Sequence, residues 1–277
     1  MAILFDGDDY LQKDYSGTGP ISSYPFTMAA WFKAPQDRSA DWQGFVLSDG
    51  SETNRYGMGP ARYGRWAIYR ITVEKRTSGT YYSDTSENDW RHSTAVFNAQ
   101  NSRELFLDGS SVMTDGGNIG STTLTDADIV GIGYGPTNSA NALYKGNMAE
   151  CGLWSVALTA AEISALSAGF SPLLIRPGSL VGYWPLGGAY PDYSDQVGSS
   201  TLSATGDPTP SSHPPIIHPS IPVVVKESAA EPVTADGSVS EYLRTPDTSG
   251  SFTKPYDTSS TYSRDTDTTG TFTRPSE

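Results

Sequence analysis

Phe26-Thr-Met-Ala-Ala-Trp-Phe32 decides the fold class. Side chains of an extended strand alternate between two faces, so Phe26, Met28, Ala30 and Phe32 fall together on one of them. A period of two with aromatic enrichment reads as a strand laid against a core. Working outward, Arg65-Trp-Ala-Ile-Tyr-Arg-Ile-Thr-Val73 reads the same way. So do Gly44-Phe-Val-Leu47, Ser93 to Phe97, Glu104 to Leu107, Asp128 to Ile132, Asn147 to Trp154 and Leu180 to Trp184. Asp49-Gly50, Ser78-Gly79, Asp108-Gly109 and Asp115-Gly-Gly117 supply turn chemistry between them. Many short strands at this spacing predict an all-β antiparallel sandwich or jelly roll over residues 1–212, not a βαβ fold.

One short helix interrupts the strands. Thr159-Ala-Ala-Glu162 is a capping box, Leu158 can staple to Ile163, and Gly169 stands where a left-handed terminator belongs. Residues 213–234 open with His213-Pro-Pro-Ile-Ile-His-Pro-Ser-Ile-Pro222, whose four prolines in ten residues predict a stiff extended connector or strap leaving the sandwich.

The last segment, 235–277, repeats with a period of ten. Tyr242, Phe252, Tyr262 and Phe272 recur at that interval, and Arg244, Lys254, Arg264 and Arg274 follow two residues later. Asp247, Asp257 and Asp267 open the intervening turns. Thr-Phe-Thr is strand chemistry and Asp-Thr-Ser-Gly is turn chemistry, so the unit predicts an extended β-repeat tail. One aromatic per unit cannot bury a core of its own. The tail is therefore either disordered or docks through these aromatic and basic columns, on a partner or on copies of the chain.

Composition narrows the function. The 277 residues carry 31 Asp+Glu against 18 Lys+Arg, a net charge of −13. That balance speaks against nucleic acid and against an anionic membrane surface as partners. The single Cys151 excludes an internal disulfide framework and a cysteine zinc cluster. Met1-Ala-Ile-Leu-Phe-Asp-Gly lacks a basic region or an apolar run of signal length, so the sequence predicts synthesis as a soluble cytosolic chain.

Several segments resemble the laminin-G-like, concanavalin A-like lectin/glucanase jelly-roll domains. Leu4-Phe-Asp-Gly-Asp-Asp-Tyr-Leu11 is similar to their opening strand and Phe26 to Phe32 to their second. Asp89-Trp-Arg-His92, Glu104-Leu-Phe-Leu-Asp-Gly109, Tyr144 to Trp154 and Leu158 to Ile163 follow in matching order. Leu173 to Leu186 resembles an extension found in such domains of tailed-phage virion proteins. The resemblance implies a non-enzymatic virion structural protein, a capsid decoration or tail appendage. Its repeat tail would anchor it to other virion or scaffold proteins, or to its own copies as a homo-oligomer. Its sandwich would face outward and bind cell-surface glycans. The alternative is a free carbohydrate-binding module with a disordered tail.

Candidate chemistry is sparse. Glycosidases of this fold need two carboxylates about 5–5.5 Å apart for retention, on same-face strand positions such as Glu-x-Asp-x-x-Glu. Glu150 has Gly152 at the partner position, so it reads as a carboxylate satisfied by backbone or by an arginine, and no catalytic residue is assigned. His92, His213 and His218 form no nucleophile triad, and no Gly-x-Ser-x-Gly elbow exists. Asp6, Asp8 and Asp9 beside Gly7 could offer oxygens to Ca2+, with a solvated acidic turn as the alternative. Tyr56, Arg62, Tyr63, Tyr81 and Tyr82 make a mixed aromatic and basic set that could stack on sugar faces.

Overall fold

The Phe26–Lys33 strand lies in the interior of an eight-stranded antiparallel sheet, with Phe26, Met28, Ala30 and Phe32 all in the main core. The computed structural model describes residues 2–17, 19–34, 44–48, 55–61, 65–72, 75–76, 80–83, 88–115, 127–134, 143–187, 193–198, 200–219, 251–253, 261–264 and 272–273.

In chain order the strands begin β1 (Ala2–Asp6), β2 (Tyr10–Asp14), β3 (Phe26–Lys33), β4 (Gly44–Ser48), β5 (Arg55–Ala61) and β6 (Arg65–Thr72). Then come β7 (Lys75–Arg76), β8 (Thr80–Ser83), β9 (Arg91–Ala99), β10 (Ser102–Leu107), β11 (Ser110–Asp115) and β12 (Ile129–Tyr134). The sandwich ends with β13 (Lys145–Trp154), helix α1 (Ala160–Ser167), β14 (Leu180–Trp184), β15 (Ser203–Thr205) and β16 (Thr209–Ser211). One sheet runs β11-β10-β9-β3-β13-β1-β16, with β14 also on β13. The other runs β15-β2-β12-β4-β5-β6-β7, with β8 also on β6.

Apolar alternation closes the two sheets on one another. Phe5, Leu11, Phe26, Phe32, Phe45, Tyr56, Trp66, Phe97 and Trp184 are all buried between them. Phe26 stacks on Phe97 with ring centroids 4.6 Å apart, a contact across the β3–β9 pair. The outer side of the β3 sheet carries a second apolar layer. There Trp154, Leu158, Ile163, Leu166 and Tyr183 pack under α1 with Ala29, Val96 and Phe106.

The helix forms as its sequence predicts. Thr159 accepts from the Glu162 amide, and Glu162 accepts from the Thr159 amide at 2.7 Å. Gly169, at φ +93°, ends the helix and donates to Leu166 O. No helix among the described residues is long and apolar enough to cross a membrane.

The chain divides into two compact units, Met1–Ser220 and Ile221–Glu277. Residues 213–219, read from sequence as the start of a stiff connector or strap leaving the sandwich, belong to the first. Pro214 is buried, the Ile217 amide donates to Gly169 O at 2.7 Å, and the Ser171 amide donates to Ile217 O at 3.0 Å. In the second unit three short strands, β17 (Ser251–Thr253), β18 (Thr261–Arg264) and β19 (Phe272–Thr273), pair antiparallel. Their backbone register sets Phe252 opposite Tyr262 and Arg264 opposite Phe272.

Candidate functional site

The decisive carboxylate is Glu150, and its place depends on a bulge in β13. The strand pairs Ala149 with Trp31 but Gly152 with Ala29, so one extra residue enters between them. Inward positions therefore change parity, from Met148 to Cys151 and Leu153. Glu150 lies on the outer side with Tyr183, at 2% exposure. Its Oε2 accepts from the Tyr183 hydroxyl at 2.7 Å, and its Oε1 stands 3.2 Å from His213 Nε2. The expected backbone or arginine partner is thus corrected to the Tyr183 hydroxyl. Burial, reinforced by the Glu150 charge, pushes the Tyr183 phenol and the Cys151 thiol up, so both stay protonated.

The same face shows why Gly152 cannot give way to a second carboxylate. A Cβ there would sit 2.5 Å from Cη2 of the Trp154 indole, which folds back over the glycine. Same-face neighbours two apart are where a glycosidase pair would stand. Here that position is the seat of a core tryptophan.

The acidic turn is tighter than its sequence suggests. Carboxylate oxygens of Asp6, Asp8 and Asp9 lie within 4.8 Å of one another. Asp9 is 2% exposed and already committed: it accepts from the Asp6 amide at 3.1 Å and from the Asp207 amide at 2.7 Å. Burial holds the Asp9 carboxyl above the usual carboxylate range. Asp8 is raised by its hydrogen bond and charge repulsion with Asp6, whose own value falls through the same hydrogen bond. Three carboxylates this close could offer oxygens to a hard cation, which takes six to eight of them.

Of the predicted aromatic set, Tyr56 is the member whose side chain the structure describes. Tyr56 is a correction: at 1% exposure it lies in the core against Phe26 and Phe97 and receives the Tyr24 hydroxyl at 2.8 Å, leaving no ring face for a sugar. Tyr81 and Tyr82 lie on β8, opposite Ala67 and Trp66 in the ladder. Arg62 and Tyr63 lie outside the described residues, as do Tyr242, Arg244, Lys254 and Arg274. The half-buried pair Tyr10 and Tyr134, with centroids 5.1 Å apart and planes at 71°, brings two rings together across β2 and β12. Tyr10 is legible in the sequence only through strand alternation, since Tyr10 and Gln12 flank the buried Leu11. Between this pair and β8 the outer ladder row is Gln12, Gly131, Val46 and Gly57.

His92 is structural. Its ring is buried 5.2 Å from Trp31, and its amide donates to Asp108 at 2.8 Å. Burial lowers its pKa from 6.5 to about 3. The sign follows directly. The unfolded chain binds a proton at 92 near pH 6.5 that the fold refuses until about pH 3, so stability falls as pH drops across that window. Acid titration of unfolding free energy should show this slope, and His92→Asn should flatten it.

These elements define an antiparallel jelly-roll sandwich with one sheet capped on its outer side by a short helix. A family model described as the concanavalin A-like lectin/glucanases superfamily, laminin G type, matches residues 5–164. The chain belongs to that superfamily. A Bacteroides ovatus protein assigned as carbohydrate-binding is similar in structure, with a TM-score of 0.56 and 18% identity over 78% of this chain and 61% of that one. The native heptameric SAP-like pentraxin of Limulus polyphemus gives 0.47 and 17% over 60% of this chain and 81% of its own. Domain 4 of an extracellular GH43 arabinanase of Geobacillus stearothermophilus gives 0.47 and 14% over 60% and 76%. A search of the curated proteins finds none that matches.

Proposed function

We propose that this chain is a non-enzymatic structural protein of a virus particle, a capsid decoration or tail appendage. Its repeat tail anchors it and its sandwich faces outward to bind glycans. The observation that carries the reading is the tail: a strict ten-residue period whose strands pair among themselves, with Phe252 opposite Tyr262, in a unit apart from the sandwich. Two- to four-residue strands are marginal alone, so such a ribbon gains stability by pairing further, and repetition multiplies each contact. The closed Gly152 position supports a binding rather than a hydrolytic use of the fold.

Light scattering tests the anchor. Full-length protein should be oligomeric or co-sediment with particles, and the chain ending at residue 234 should be monomeric and unattached. Phe252→Ala with Phe272→Ala should weaken assembly while leaving the sandwich folded. Normal assembly by that double variant would count against docking through the aromatic column.

A second reading, a free carbohydrate-binding module, is favoured by the fold likeness to the Bacteroides ovatus protein. Glycan binding by residues 1–220, with no association of the full chain, would select it. Hydrolysis of a bound glycan would sink both.

A further inference from the structure

The two oxygens of Glu150 are used unequally. Oε2 accepts from the Tyr183 hydroxyl at 2.7 Å, whereas Oε1, on a residue only 2% exposed, has no hydrogen-bond partner. A carboxylate oxygen buried in that way is costly unless it is paired or holds a cation. His213 Nε2, on the arm of residues 212–219 that follows β16, stands 3.2 Å away. That distance would suit a hydrogen bond, so it is the direction of approach that fails to make one.

We propose that Glu150 Oε1 and His213 Nε2 are the two protein ligands of a divalent transition-metal site, of the zinc class, where this arm meets β13. The geometry is that of a chelate. Two ligand atoms each about 2.1 Å from one ion, at an angle of about 100°, lie about 3.2 Å apart. The ion then sits to one side of the line joining them, and each lone pair points at the ion instead of at the other ligand. Such a pair stands at hydrogen-bond distance without a hydrogen bond's direction.

The atoms behind the two ligands fit the same assignment. His213 Nδ1 is 2.8 Å from Pro214 O, which can only accept, so the one N–H of a neutral ring goes there and Nε2 presents its lone pair. A metal-bound imidazole ordinarily gives its other N–H to a carbonyl or carboxylate, and a metal-bound carboxylate is itself hydrogen-bonded. Pro214 fills the first role and Tyr183 the second. Burial, helped by the Glu150 charge, pushes the Tyr183 phenol up and keeps that donor in place.

The donor set names the class of ion. One imidazole nitrogen with one carboxylate oxygen suits a first-row transition cation, whereas calcium takes oxygens throughout. The all-oxygen turn of Asp6, Asp8 and Asp9 is the opposite case. Water supplies the other positions from the His213 side, where the side chain is 19% exposed. Because one ligand comes from β13 and the other from the arm, a bound ion ties the arm down beside the two backbone bonds that Ile217 makes with Gly169 and Ser171.

The test titrates zinc into the full chain at about pH 7.5, where an ordinary imidazole is neutral, and follows the ring nitrogens of the three histidines by NMR. His213 Nε2 should shift and saturate, while the buried His92 and the exposed His218 should not. Amide protection of Ile217 should rise with zinc as one plus the ratio of free zinc to Kd, about tenfold at nine times Kd. Calcium at the same concentrations should produce neither change. Glu150→Gln keeps an oxygen for Tyr183 and should abolish both zinc effects. Should it fold poorly, His213→Asn removes the nitrogen ligand and leaves β13 unaltered, and should abolish the Ile217 gain. A His213 ring that does not respond to zinc in large excess, an Ile217 gain retained in either variant, or one that calcium reproduces overturns the site.

Discussion

Trp154→Ala should lower the unfolding free energy by about 3–5 kcal/mol, the range for deleting a large buried aromatic. Trp154 has no exposed surface and joins three elements. Its indole lies over Gly152 on its own strand, packs in the outer apolar layer with Ile163 and Leu166 of α1, and donates from Nε1 to Ile175 O at 2.8 Å. Removing it opens a cavity between helix and sheet and also leaves a buried carbonyl without its donor. Trp154→Phe keeps most of the volume but still loses the donor, so it should cost markedly less. Urea unfolding of the three proteins, with equal m-values, checks the order. A loss under about 1 kcal/mol for the alanine variant would mean that the outer layer is not part of the cooperative fold.

How much of this could be read from the residues varies by element. Phe26 to Phe32 and the Thr159–Glu162 capping box were legible because local pattern and tertiary role agree. β5 was not. Arg55-Tyr-Gly-Met-Gly-Pro-Ala61 looks like a turn carrying a surface aromatic, yet every residue of it is buried. Glycines at 57 and 59 leave the alternate positions, Tyr56 and Met58, to face the core. Composition there signals a loop, while strand pairing on both sides decides otherwise. Glu150 escaped for a related reason: simple alternation along β13 puts it on the side of Met148, and only the bulge carries it outward. The prolines after His213 signalled an extended path correctly, but nothing local says whether such a path is free or laid against the sandwich. Ile217 answers that through Gly169 and Ser171, more than forty residues earlier in the chain.

Asp9→Ala should cost about 2–3 kcal/mol, because it strips the acceptor from two backbone N–H groups at once. The site looks at first like a cation turn, yet its geometry makes Asp9 a brace. The Asp6 amide ties it to the β1–β2 turn, and the Asp207 amide ties it to the turn between β15 and β16. Those last two strands pair with β2 and β1 respectively, so Asp9 fastens both ends of the sandwich chain at one point. Its charge is not what stabilises. Burial raises the Asp9 pKa, so the contribution of its titration is fully present below the unfolded value and is lost as pH rises through the folded one. Asp9→Asn removes that unfavourable charge and keeps one acceptor oxygen. It should therefore lose less than the alanine variant and flatten the acid-side pH dependence at this turn. Melting the three proteins with calcium and with chelator separates the two roles. A penalty for Asp9→Ala that is the same in both assigns the brace alone. A melting temperature that rises with calcium in the unaltered chain and not in Asp9→Asn assigns the turn to a cation, since only then does the second carboxylate oxygen have work beyond its backbone donors.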